Sequence, residues 1–285
     1  MSARRRPIRP NGRYVSALAS GQGMVVAELE NVLWIGGVPG AGKTTIARLL
    51  ARRHGLRRYN PDTQTWNHLA LALAADDPAA GRFARMTPAE RAAATPDEIR
   101  YDRGPMILDD LRSLPSVPLV LAEATPPAGS GAPAGRAVSL MLSGEAQLSR
   151  LERRHPDGVP PRYLRDWQTT VATLSRADTC VVVVDDLTVD DTIAEVERLF
   201  ADRIDEGPTA DTVERRRALL RLGNQDVVNQ CHGWLHHTRG GDNSQSVLTV
   251  DCECAVPSCT VMVDLPMPIA SAAVAGTSVI RAPGH

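Results

Sequence analysis

The stretch Gly37-Val38-Pro39-Gly40-Ala41-Gly42-Lys43-Thr44 brings together the groups that phosphate chemistry needs at close quarters. Its glycines let successive backbone N–H groups turn toward one point, and such a concave run of amides holds phosphate oxygens. Lys43 places an ammonium where the β and γ phosphates of a nucleotide would lie. Thr44 offers a hydroxyl to Mg²⁺, which neutralises charge as a phosphoryl group moves, and Thr45 follows in the same turn. Lys43 is the one lysine among 32 basic side chains. Where arginine serves at every other cationic position, a surviving lysine marks a place that needs a compact ammonium on a flexible stem.

The loop has the form GxxxxGK[ST], and the motif requires a strand before it and a helix after it. Asn31 to Gly36 is a short apolar run that predicts a buried strand, and Thr45 to His54 predicts a helix ended by Gly55. A second strand, Leu56 to Tyr59, leads into Asn60-Pro61-Asp62. A third, Val117 to Ala122, delivers Glu123 to the place where a carboxylate holds Mg²⁺ or its water, although an exposed cap at the sheet edge is the alternative. Arg136 to Leu142 and Thr179 to Asp185 complete five strands, and Val189 to Phe200 predicts a closing helix. Continuous apolar strands alternating with helices predict an α/β fold, a P-loop NTPase-type five-stranded parallel sheet covered by helices on both faces.

Over about residues 31 to 200 these motifs resemble the small-molecule kinases of the P-loop class, such as gluconate kinase, shikimate kinase and chloramphenicol phosphotransferase. The resemblance implies that Asp62 contacts the acceptor hydroxyl, and a carboxylate there can orient the hydroxyl and take its proton. An Asx turn or helix cap after Pro61 is the structural alternative. Two helix starts, Thr87-Pro88-Ala89-Glu90 and Thr95-Pro96-Asp97-Glu98, predict a helical insert. In the resembled kinases such an insert covers the acceptor, which makes Arg82, Arg85, Arg100, Arg103, Asp109 and Asp110 candidates for substrate contact. Gln147 to Arg154 resembles the lid of the nucleotide kinase family, whose arginines close over the phosphates. Arg150 and Arg154 share a helix face, Arg153 is the alternative, and Gly158-Val159-Pro160-Pro161 permits a hinge. The loop Asp185-Asp186-Leu187 commonly lies near adenine in such kinases, and no NKxD guanine signature is present. Together these imply an ATP and Mg²⁺ dependent phosphotransferase acting on a hydroxyl of a small metabolite or antibiotic.

Glu206-Gly207-Pro208 breaks the alternation, and the expected organisation is an extension over 1–28, a kinase domain over 29–205 and a module over 206–285. In the module, Glu214 to Gln230 predicts an amphipathic helix, and Val247 to Cys254 and Thr260 to Leu265 predict two strands. Cys252, Cys254 and Cys259 form Cys-x-Cys-x₄-Cys, with the first two expected on one strand face and the third returning from the turn. Clustered reduced thiols favour a structural Zn²⁺, which takes four ligands. Cys231, His232, His236, His237 and His285 compete for the fourth place, and unligated cysteines in a hairpin are the alternative. The segment resembles a CxCxxxxC module ending in Pro-Gly-His in actinobacterial proteins, and that resemblance points to His285.

Composition narrows the classes of partner. With 32 basic against 33 acidic side chains, no global field draws the chain to nucleic acid. No stretch approaches the roughly 20 apolar residues that cross a bilayer, so a cytoplasmic location and no membrane are expected. The Arg-rich start reads as a disordered tail, with a transit peptide as the alternative. A nucleotide-dependent switch or ATPase, whose zinc module binds a macromolecular partner, is the rival function. A polynucleotide kinase would need a basic groove, which the sequence does not display.

Overall fold

The computed structural model describes residues 29–93, 101–127, 130, 135–174, 180–239 and 246–285. The expected extension over 1–28, the helix start at Thr95 and the candidate Arg100 lie outside the described residues.

The first strand, β1 (Val32–Gly37), runs into the glycine loop and then α1 (Lys43–His54), which Gly55 ends in a left-handed conformation as its position predicts. The short β2 (Arg57–Tyr59) leads through a 3₁₀ turn at Pro61–Gln64 into α2 (Thr65–Ala74), α3 (Pro78–Arg85), α4 (Pro88–Ala93) and α5 (Gly104–Ser113). Thr87 and Glu90 close the anticipated capping box at the start of α4: the Thr87 amide donates to Glu90 at 2.6 Å and the Glu90 amide to the Thr87 hydroxyl at 3.2 Å. Then come β3 (Val120–Ala122), β4 (Ala137–Met141), α6 (Gly144–Arg154), α7 (Pro161–Leu174), β5 (Cys180–Val183) and α8 (Val189–Glu206).

The five strands form one parallel sheet in the order β2-β3-β1-β4-β5. Its central strand is fully apolar because both faces are covered. Successive side chains of a strand point to opposite faces, so Leu33 and Ile35 enter one core with Leu50, Leu121, Leu140 and Phe200, while Val32 and Trp34 enter another with Tyr59, Leu108 and Val120. Burying each such side chain stabilises the fold by about 1.5–3 kcal/mol. The connection from β1 passes to one side of the sheet and that from β3 to the other. The resulting crevice lies at the carboxyl ends of β1 and β3, where open α/β sheets bind ligands.

Beyond Gly207 the chain forms the long α9 (Val213–Arg239), an antiparallel hairpin of β6 (Val247–Asp251) and β7 (Met262–Pro266), and α10 (Met267–Ala275). This part is a small α+β unit with its own core of Val228, Leu248, Val250, Met267, Ala270, Val274 and Ile280. Three features differ from expectation. β3 begins at Val120 rather than Val117, since Pro118 has no N–H for a ladder. β6 ends at Asp251 and the chain turns at once, so Cys252 and Cys254 sit on that turn and not on a strand face. α10 was not anticipated, although Met267, Ala270 and Val274 are buried at helical spacing.

Candidate functional site

Gly37 has φ +120°, and a Cβ there would lie 2.0 Å from the Leu140 carbonyl oxygen, so only glycine lets the loop leave the sheet this closely. Gly42, at φ +90°, caps α1. The N–H groups of the first turn of α1 have no acceptor within the helix, and this end carries the positive pole of the helix dipole. Lys43 folds back over the loop and donates from Nζ to the carbonyls of Gly37 at 3.0 Å and Val38 at 2.9 Å. Burial lowers its pKa, while Asp62 and then Glu123 oppose that shift. Gln147 of α6 donates to the Pro39 carbonyl at 3.0 Å and so fixes the tip of the loop. Val38 and Ala41 are buried beneath it, whereas Thr44 and Thr45 are exposed.

Glu123 follows β3 directly and is buried. Asn60 donates to its Oε2 at 3.1 Å, and Arg58 Nε lies 3.2 Å from Oε1. Burial pushes the carboxyl pKa up, and Arg58 and a hydrogen bond with the Thr44 side chain draw it down. Oε1 has no hydrogen bond of good geometry among the described residues, which leaves a buried acceptor beside the Thr44 hydroxyl. A hydroxyl paired with an under-used carboxylate oxygen fits a hard, oxygen-seeking cation such as Mg²⁺.

Asp62 sits in the turn after β2. The Asx contact there is made by Asn60, whose side chain accepts from the Asp62 amide at 2.9 Å. The Asp62 carboxylate is therefore left outside the turn, 76% exposed, with Arg103 at 3.8 Å. An open cleft of about 750 Å³ has Lys43, Asp62, Tyr101, Arg103, Thr125 and Asp166 among its lining residues. Arg103 is held by its bonds to the Pro61 carbonyl and His68 Nδ1. Asp110 lies deeper, bound to the Tyr59 hydroxyl at 2.7 Å and His68 Nε2 at 2.9 Å, and burial and that bond keep Tyr59 protonated. Asp109 pairs with Arg112 on the exposed side of α5. Arg82 and Arg85 do not line the cleft. Sequence reasoning missed Tyr101 and Asp166, because neither belongs to a local motif.

The other side of Asp62 faces a second cleft of about 590 Å³, whose lining includes Trp66, Tyr163, Gln230, Trp234 and Leu248. Of the arginines on α6, Arg150 donates to the Val184 carbonyl at 2.7 Å and Arg153 to Ser149 at 2.9 Å. Arg154 is exposed and close enough to Lys43 to lower its pKa. Asp185 Oδ1 accepts from the Ser143 amide at 2.9 Å.

A second cluster lies in the carboxyl-terminal unit. One donor atom each from Cys252, Cys254, Cys259 and His285 falls within 4.8 Å of all the others. His285 Nδ1 is 3.7 Å from Cys252 Sγ and 3.6 Å from Cys259 Sγ. A tetrahedron with Zn–S of about 2.3 Å and Zn–N of about 2.0 Å places sulfur and nitrogen about 3.5 Å apart, so the donors fit such an ion. Burial acts against the Cys254 thiolate, but hydrogen bonds with His285, Val256 and the other thiols hold the thiol at about 6. Cys231, His232, His236 and His237 do not join the group: His232 meets Ser271 at 3.0 Å, and His237 stacks on Trp66.

No family model matches the chain, and no curated protein matches it. Among solved structures it is similar to a gluconokinase from Sinorhizobium meliloti 1021, at 17% identity over 62% of this chain and 95% of that one, with a TM-score of 0.39.

Proposed function

We propose that the protein is an ATP and Mg²⁺ dependent phosphotransferase acting on a hydroxyl of a small metabolite or antibiotic. The observation that carries this reading is that the ammonium of the glycine loop and the exposed carboxylate of Asp62 open onto one cleft. A switch needs only the first of these; transfer to an acceptor needs both.

On this reading the loop from Gly37 to Thr45 holds the phosphates through its free amides, Pro39 having no N–H and Val38 donating to Leu140, and Lys43 exchanges its two carbonyl partners for phosphate oxygens. Thr44 and Glu123 would hold Mg²⁺, which supplies charge neutralisation at the transferred group. Asp62 orients the acceptor hydroxyl and takes its proton as the oxygen bonds to the γ phosphorus and ADP departs. Arg154 would offset charge on the phosphates, a role supported by its electrostatic effect on Lys43, whereas Arg150 donates to the Val184 carbonyl after β5.

Cys252, Cys254, Cys259 and His285 hold a structural Zn²⁺ in the same proposal, because four protein ligands leave no open position for chemistry. Residues 29–205 form the catalytic domain and 206–285 the appended module. No helix among the described residues is long and apolar enough to cross a membrane, and a cytoplasmic location accords with the reduced thiols the zinc reading requires.

The deciding measurement is ADP production with Mg²⁺ and ATP, supplemented either with a fractionated small-molecule extract or with a macromolecular fraction. Stimulation by small molecules alone supports the kinase. Stimulation by macromolecules alone replaces it with a nucleotide-dependent switch whose module binds the partner.

A further inference from the structure

Arg58 lies on β2, outside the phosphate loop and the acceptor cleft, and its side chain is only 14% exposed. It reaches two carboxylates in different parts of the chain. Its Nε is 3.2 Å from Glu123 Oε1, at the floor of the nucleotide site, and its NH1 is 3.7 Å from Oδ2 of Asp251, the last residue of β6. Asp226 of α9 also acts on it electrostatically, and Gly223 approaches its guanidinium. Asp251 is itself buried and strongly held. Arg48 meets its Oδ1 at 3.0 Å, Arg52 lies at 3.9 Å, and its amide donates to Asn224 at 2.7 Å. Arg48 and Arg52 belong to α1, the helix that the phosphate loop opens into.

We propose that Arg58 is a positioning residue for the nucleotide–magnesium site, and that the carboxyl-terminal module, through Asp251, holds it there. The inference rests on the nucleotide-binding reading above. Three guanidiniums crowd one corner of the sheet, and like charges in a site of low dielectric separate unless a counter-charge lies between them. Asp251 is that counter-charge. With Asp251 in place, Arg58 offsets the charge of Glu123 from the Oε1 side at 3.2 Å without using that oxygen's hydrogen bond, while Asn60 donates to Oε2. Without Arg58, a buried carboxylate loses the cation in direct contact with it and is free to turn from Thr44. The partners that orient a metal-holding carboxylate contribute strongly to metal affinity although they never touch the metal. The module thus contributes to the nucleotide site from behind.

Calorimetric titration of the full chain with ATP, with and without Mg²⁺, tests this on wild type, Arg58→Met, Arg58→Lys and Asp251→Asn, each checked for its melting midpoint. In Arg58→Met, affinity for ATP in the presence of Mg²⁺ is expected to fall about tenfold or more, while metal-free ATP affinity changes less than about twofold. Arg58→Lys recovers part of the loss, and Asp251→Asn shifts in the same direction by less. Parallel loss with and without Mg²⁺, or no loss in either, overturns the inference. If Arg58→Met fails to fold, Arg58→Lys and Asp251→Asn decide it by the same criterion. A wild-type chain that binds no ATP with Mg²⁺ overturns the functional reading itself, whereas wild-type binding with unaltered variants overturns only the role of Arg58.

Discussion

The phosphate loop and the cysteine cluster are both turns that gather polar atoms at the end of a strand, yet they are built in opposite ways. The loop is a concave set of backbone groups around one side chain, and it opens onto a cleft of about 750 Å³. The cluster gathers four side-chain donors within 4.8 Å of one another, a number that would fill a tetrahedral ion with no position left over. An open site can accept and release a reacting group; a closed one can only hold the chain together. On the function proposed above, turnover belongs to the first region and folding free energy to the second.

That division is open to attack from both sides. The largest effect is expected from emptying the closed site. The native protein should carry one zinc per chain by atomic spectroscopy, and Cys259→Ser or a strong chelator should cost several kcal/mol, lowering the melting midpoint by on the order of 10 °C. A midpoint indifferent to the chelator would remove the structural role. At the open site, Lys43→Ala is expected to reduce ADP formation by about a hundredfold or more while the melting midpoint stays within about 2 °C of wild type. A comparable loss of fold would mean that the loop is structural as well. Asp62→Asn should lower kcat about a hundredfold with little change in acceptor KM, since a general base acts in the transition state. Its exposed contact with Arg103 contributes at most about 1 kcal/mol to stability, so the variant should fold normally. One shift in melting midpoint carries the opposite sign. Glu123 has its pKa raised chiefly by burial, so burial penalises its charged form in the folded protein. Glu123→Gln should therefore abolish Mg²⁺-dependent turnover yet raise the melting midpoint of the nucleotide-free protein by about 1–3 °C. A lower midpoint would show that the Arg58 contact outweighs desolvation.

The two regions also differ in how far they could be read in advance. The loop, the strand before it and the helix after it are contiguous, and backbone amides need no partner from elsewhere in the chain. Strand ends likewise put Asp62 and Glu123 at the carboxyl edge of the sheet from local pattern alone. The cysteine spacing suggested three convergent donors, but their place on a turn after Asp251 depended on where β6 stops pairing. What stayed hidden was contact across the sequence. Nothing local marks Arg58 as the partner of both Glu123 and Asp251, or Arg48 and Arg52 as further partners of Asp251. Asp110, a candidate for substrate contact, bonds to Tyr59 and His68, partners that no local pattern announces. Arg150 and Arg154 were indistinguishable by spacing; the carbonyl of Val184 engages the first of them. The α10 helix is not legible locally, because its nearly all-apolar sequence shows no polar face to set a period.

A chain with one lysine has one primary amine on its side chains, and here that amine sits among the groups proposed to meet the nucleotide. Burial lowers its pKa, which enlarges the unprotonated, nucleophilic fraction relative to an ordinary lysine. Acylating reagents therefore have a single side-chain amine to modify, and a label located on Lys43 by peptide mapping reports on occupancy of the loop. Protection of that amine by a nucleotide becomes a direct assay of binding for which no acceptor need be known.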